Sequence, residues 1–148
     1  MLTRNLLKLI KSLEQKKYRL RERLFVAEGP KVVGDLLRHY VPEKLVATRD
    51  WLEVHLHETA DLAGRIVEVS EEELRRCSFL QHPQQVMGLF PLPEEGAFDP
   101  HQLSRQASTE LVLALDGIQD PGNLGTIIRL ADWFGLQAIV CSPATADA

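Results

Sequence analysis

Leu111–Val140 reads LVLALDGIQDPGNLGTIIRLADWFGLQAIV, and its punctuation decides the fold. Leu111 to Leu115 is an unbroken apolar run, the pattern of a strand buried on both faces. Asp116-Gly117 closes that run, and Asp120-Pro121-Gly122-Asn123 supplies a turn. Leu124, Ile127, Ile128, Ala131 and Phe134 then recur at helical spacing and form one apolar stripe. Gly135 falls where the residue just past a helix end is expected. Gln137 to Val140 opens a second apolar strand. The order strand, helix, strand predicts a parallel pair joined by a crossover helix.

Upstream of this unit the composition shifts. Leu92 to Ser108, LPEEGAFDPHQLSRQAS, is rich in proline, glycine and polar residues, and periodicity fades. It reads as an inter-domain linker with a weak helical turn around His101–Gln106. Before it, strands and helices alternate from Leu24 to Phe90. Leu24–Ala27 is a strand. Glu28-Gly29-Pro30 turns it into a helix, with Pro30 at the first helical position and Val32, Val33, Leu36, Leu37 and Tyr40 as the buried stripe. Lys44–Thr48 is the next strand, and Asp50–Glu53 opens a short helix. Arg65–Val69 is another strand. Ser70 followed by Glu73 is a capping-box pattern that starts a helix through Arg76. Ser78–Gln85 is irregular. Val86–Phe90 is a further strand, ended by Pro91 and Pro93. At the N-terminus, Leu6, Leu7, Ile10 and Leu13 mark an amphipathic helix capped by Thr3 or Asn5, and Lys16–Arg23 reads as a basic connector.

The 148 residues carry 45% hydrophobic and 26% charged side chains, ordinary values for a globular chain. No apolar run approaches the roughly 20 residues that span a bilayer, and the N-terminus has no secretory-signal pattern. Cys77 and Cys141 lie far apart and belong to no Cys/His ligand cluster, so the expectation is reduced thiols in a cytoplasmic protein without structural zinc. The net charge of −4 argues against nucleic acid until its distribution is read. Arg4, Lys8, Lys11, Lys16, Lys17, Arg19, Arg21 and Arg23 crowd the N-terminus, while acids gather at Glu71–Glu73 and Glu94-Glu95. A basic end can hold a phosphate backbone or be a solvated face. Trp51 is either a base-stacking ring or a packing residue. His55 and His57 flank Leu56 without a third metal ligand and read as exposed histidines.

Asp116–Gly135, DGIQDPGNLGTIIRLADWFG, resembles the first signature motif of the SpoU/TrmH family of RNA 2′-O-ribose methyltransferases. That motif is a strand ending in Asp, a D-P-x-N-x-G turn, and an Arg two helical turns in. Asn123, Gly125 and Arg129 fall on its key positions. Leu24–Leu37, LFVAEGPKVVGDLL, and Gln84–Gly88 resemble the family's RNA-substrate-binding domain, in which a final strand returns at the domain's edge. The resemblance implies an α/β protein in which a small ribosomal-protein-like substrate-binding domain spans residues 1–91. A linker follows over 92–107. Residues 108–148 are then the start of a SPOUT-type α/β-knot parallel sheet.

The same resemblance implies methyl transfer from S-adenosylmethionine to a ribose 2′-hydroxyl in structured RNA, ribosomal RNA ahead of transfer RNA. Arg129 and Asn123 would be catalytic. Arg19, Arg21 and Arg23 would contact phosphate, in keeping with the bidentate fork of a guanidinium. Glu28 and Gly29 would shape a loop near the RNA, although the residues themselves favour the plainer reading that Gly29 permits a tight strand-to-helix turn. In the family the Arg129 position acts at the hydroxyl, and a phosphate clamp suits a guanidinium better than a base does. Asn123 could cap the helix or orient the ribose. No G-x-G-x-x-G run is present, so an ordinary dinucleotide site is not expected. The family's second and third motifs, its donor contacts and its homodimer interface are expected beyond Ala148. The rival readings are a non-catalytic RNA-binding module or fragment, and a small α/β nucleotide- or partner-binding domain.

Overall fold

A computed structural model describes residues 1–93 and 99–146. The chain divides into two compact units, Met1–Glu94 and Glu95–Ala148. Residues 94–98, which include Glu94-Glu95 and part of the predicted linker, lie outside the described residues.

The first unit begins with α1 (Arg4–Ser12), capped by the Thr3 hydroxyl at Leu6 N. Lys16–Glu22 is a helix, α2, where a connector was expected. Its charge hides it: without an apolar stripe the period is invisible, and no side chain in it is fully buried. Arg23 ends it in the left-handed region at φ 55°. Then come β1 (Leu24–Glu28), α3 (Pro30–Leu37), β2 (Lys44–Thr48), α4 (Arg49–Val54) and α5 (Leu56–Thr59). A 3-10 turn at Ala60–Leu62 leads into β3 (Ile66–Val69), α6 (Glu71–Cys77) and β4 (Val86–Pro91).

The four strands form one mixed sheet in the order β1-β4-β2-β3. β4 lies antiparallel to both β1 and β2, and β2 runs parallel to β3. β4 is therefore central, which corrects the expected edge position. The reason is in its composition: Val86 to Phe90 is apolar throughout, and only an inner strand covered on both faces can bury such a run. Gly88 has a specific role there, because a methyl group on it would overlap the Phe90 ring.

Alternation along the strands sends side chains to two cores. Val46, Met87 and Leu89 face Ile10, Leu13, Leu74 and Cys77 on one side of the sheet. Leu45, Ala47, Val86 and Phe90 face Val33, Trp51 and Leu62 on the other. Trp51 is a core residue, and His55 stacks on it with ring centroids 4.1 Å apart while its Nδ1 lies 2.9 Å from the Trp51 carbonyl. The predicted capping box forms in full: Ser70 Oγ accepts from Glu73 N and Glu73 Oε2 accepts from Ser70 N, each at 3.1 Å.

The second unit holds α7 (Pro100–Ala107), β5 (Val112–Leu115), α8 (Pro121–Trp133) and β6 (Ala138–Cys141). A two-turn helix stands where only a weak turn was expected. Its start is specified by Asp99, whose carboxylate caps His101 N at 2.9 Å, and by Pro100 at the first position. β5 and β6 pair in parallel, Leu113 opposite Ile139, as a strand-helix-strand unit must. Among the described residues β5 is only partly covered, and Leu111 is exposed, so the fully buried strand expected from its composition is not formed by these elements. Leu124 and Ala131 of the α8 stripe are buried, but Ile128 and Phe134 are exposed. Gly135, at φ 69°, closes α8 as expected, with Leu136 N bonded to Ala131 O at 2.9 Å. No helix among the described residues is long and apolar enough to cross a membrane.

Candidate functional site

The first turns of α8 are built by short polar contacts. Asp120, not Asn123, is the cap: its Oδ2 accepts from Asn123 N at 2.6 Å. Asp precedes Pro121 at the first helical position, the pairing that starts helices best. Asn123 is thereby released from the capping role. Its side chain is exposed and makes no hydrogen bond among the described residues.

Arg129 lies one to two turns further on. Its side chain runs back toward the start of the helix, as long helical side chains do. Nη2 donates to Thr126 Oγ1 at 3.1 Å, and Thr126 Oγ1 in turn donates to the Gly122 carbonyl at 2.9 Å. Nη1 sits 3.6 Å from where a Cβ on Gly125 would be. That is an ordinary contact distance, so the guanidinium lies along the helix against Gly125. Arg129 is exposed and makes no ion pair among the described residues. The Asp120 carboxylate closes the start of α8, so the exposed Arg129 guanidinium, and not the helix end, is the group suited to an anion here. Thr126 and Asp120 were not singled out from sequence, although an Asp before Pro and a Thr three residues before an Arg carry both signals.

The loops after β5 and β6 are tied together at the ends of the strands. Gly117 N donates to Ser142 Oγ at 3.1 Å, and Ala146 N donates to Ile118 O at 2.7 Å. Crevices outside the carboxyl ends of parallel strands are where such sheets take ligands.

In the first unit the predicted contacts separate. Arg19 Nη1 donates to the carbonyls of Leu13 and Glu14 at 3.0 and 2.7 Å, closing the end of α1. Arg21 pairs with Glu22 at 2.6 Å and lies 4.8 Å over the Tyr18 ring. Arg23 Nη2 donates to Pro93 O at 3.0 Å. Glu28 and Gly29 lie at the other end of β1, about 13 Å away along a five-residue strand. The Glu28 carboxylate accepts from Ser78 Oγ and, at 2.9 Å, from Phe79 N. Gly29, at φ 97°, makes the turn into α3, and its N–H donates to Val86 O at 3.0 Å. Burial pushes the Cys77 thiol up, so it is a core side chain. Backbone N–H groups of Ser70 and Leu2 hold the Glu73 carboxyl below its ordinary value.

Residues 4–88 match the MRM3-like substrate binding domain, and residues 110–148 match the SpoU rRNA Methylase family. The chain belongs to the SpoU/TrmH family. It is 33% identical over 138 residues to the 23S rRNA (guanosine(2553)-2′-O)-methyltransferase RlmP of Bacillus subtilis, covering 93% of this chain and 51% of that protein. Its fold is similar to a TrmH-family protein from Porphyromonas gingivalis, with TM-score 0.77, 38% identity, and 99% of this chain aligned to 55% of the other. It is likewise similar to an AdoMet-bound rRNA methyltransferase from Sinorhizobium meliloti, with TM-score 0.77, 35% identity, and 99% aligned to 54%. The chain spans about half the length of these relatives.

Proposed function

We propose that these residues serve an S-adenosylmethionine-dependent methyltransferase acting on a ribose 2′-hydroxyl in ribosomal RNA. The first unit binds the RNA and α8 carries the first catalytic motif. The observation that carries this reading is the exposed Arg129 guanidinium, held by Thr126 along the first turns of α8 with no ion pair among the described residues. A guanidinium does not give up its proton in proteins. Arg129 therefore acts as a clamp: it takes the phosphate next to the target ribose and aligns the 2′-oxygen. The exposed Asn123 amide orients the ribose beside it. Arg21 and Arg23 add phosphate contacts from the first unit, and Arg19 holds the α1–α2 corner. The enzyme works in the cytoplasm as a homodimer formed through the complete catalytic domain.

S-adenosylmethionine supplies the activated methyl group in such a reaction. A cavity that the described residues form in the second unit is too small to hold it. The cavity lined by Leu103, Gln106, Ile139 and Val140 holds about 180 Å³, below the roughly 300 Å³ at which ligand pockets begin. Among the described residues, the buried side-chain atom without a partner, Trp51 Nε1, belongs to the first unit. This supports a second reading, in which the chain alone binds RNA and catalyses nothing.

Two measurements test these readings. With a chain that also carries the family's later motifs, tritiated S-adenosylmethionine should label a 23S rRNA transcript, and the labelled position should resist alkaline hydrolysis. Label that remains alkali-sensitive at its linkage rejects ribose methylation. For the 148-residue chain alone, calorimetric titration with S-adenosylmethionine should show no binding under the second reading, and a saturable heat would reject it.

A further inference from the structure

We propose that the loop Ser78–Gln85 is a docking surface for unpaired RNA, with Phe79 stacking on a base, Lys11, Arg75 and Arg76 taking the adjacent phosphates, and Glu28 holding the loop in place. This rests on the RNA-binding reading above and gives Glu28 a positioning role in place of direct contact.

Apolar exposure comes first. Phe79 and Leu80 keep 37% and 49% of their surface in solvent. An exposed ring on a loose loop would collapse onto the protein, but this loop is held. The Glu28 carboxylate accepts from Ser78 Oγ and from Phe79 N, and Ser78 Oγ accepts from Leu80 N at 3.0 Å. Both carboxylate oxygens are thus engaged at the loop's base, and Ser78 is buried. A surface ordered before binding loses little freedom when a ligand arrives.

Charge gives the loop its partner. Lys11 Nζ donates to Ser78 O at 2.8 Å and lies 5.1 Å from the Phe79 ring centroid. An ammonium has three donors, so two remain for phosphate oxygens. Arg75 and Arg76 are exposed at the end of α6, directly before the loop. The run Leu74–Gln85, LRRCSFLQHPQQ, contains no carboxylate. An exposed aromatic ring with an ammonium beside it, preceded in the chain by two exposed arginines, is the pairing that single-stranded nucleic acid requires, the ring for the base and the cations for the backbone. Two exposed apolar side chains fall short of the core a stable protein–protein interface buries, which sets RNA ahead of a protein partner.

The test is a fluorescence titration of the full 148-residue chain with a single-stranded RNA dodecamer carrying 2-aminopurine, at several salt concentrations. The parent should quench the 2-aminopurine on binding. Phe79→Leu keeps an apolar side chain in place without a stacking face. It should lose the quench and bind about tenfold more weakly, with the salt slope unchanged. Phe79→Tyr should restore both signals. The double change Arg75→Gln and Arg76→Gln should keep the quench and lower the slope of log K against log salt by about 1.4. Glu28→Gln should weaken the quench while leaving that slope in place. Binding and quenching by Phe79→Leu that match the parent would overturn the proposal and leave the RNA-binding reading standing. A parent chain that binds no RNA would overturn both.

Discussion

The two units bury their apolar surface to very different degrees. In the first, both faces of the sheet are covered, and Val46, Met87, Leu89 and Phe90 of the central strands have no solvent exposure. In the second, Trp133 and Phe134 at the end of α8 keep 84% and 73% of their surface in solvent. Hydrophobic burial is the main favourable term in folding. The first unit therefore holds the chain's cooperative stability. In the second, the start of α8 depends on polar contacts at Asp120, Thr126 and Gly122. Precision at that site comes from hydrogen bonds along one helix more than from a packed core.

Five changes would break or sharpen this contrast. Phe90→Ala removes a core ring and should cost about 3–5 kcal/mol in urea unfolding followed by circular dichroism. Phe134→Ala, at an exposed position, should fall within about 0.5 kcal/mol of the parent. Equal losses would mean that the second unit is packed as tightly as the first. Gly88→Ala forces a methyl group against the Phe90 ring and should cost about 1–3 kcal/mol in the same titration. A neutral result would show that β4 can shift to make room.

Asp120→Ala removes the cap of α8 and should cost about 1 kcal/mol. Its mark is local: faster amide exchange at Asn123 and Leu124, with the first unit's β4 amides unchanged. A further effect concerns pH. The folded-state carboxyl of Glu73 lies below its unfolded value because the N–H groups of Ser70 and Leu2 bond to the charged form. Its contribution is present above the ordinary unfolded-state value and is lost as pH falls through the lower folded value. Parent and Glu73→Gln should therefore differ in Tm near neutrality and converge in acid. A gap that persists in acid would assign the effect to something other than the charge.

Much of this was legible in the residues, for reasons that differ by element. The β5-α8-β6 unit could be read because apolar runs, the Asp-Pro turn and Gly135 agree with one another. The capping box at Ser70 is a local rule that tertiary contacts need not modify. Where sequence misled, a nonlocal choice decided. The run Val86–Phe90 says that a strand is buried without saying between which neighbours, and it lies at the centre of its sheet. α2 has too little apolar patterning to show its period. At the site, Asn123 and Arg129 stood out by their motif, but Asp120 as the cap and Thr126 as the support of Arg129 emerged only with the side chains in place. Glu28 followed the same course. Its partners, Ser78 and Phe79, lie about fifty residues away in sequence, where no local pattern could find them.

The central claim is that the guanidinium held beside the start of α8 aligns the reacting ribose. Its most direct test is Arg129→Ala in a chain that also carries the family's later motifs, assayed for tritiated methyl transfer to 23S rRNA. Methyl incorporation should fall about a hundredfold or more, as expected when the group that aligns the reacting hydroxyl is removed, with Tm unchanged. Incorporation within a factor of two of the parent would contradict the account.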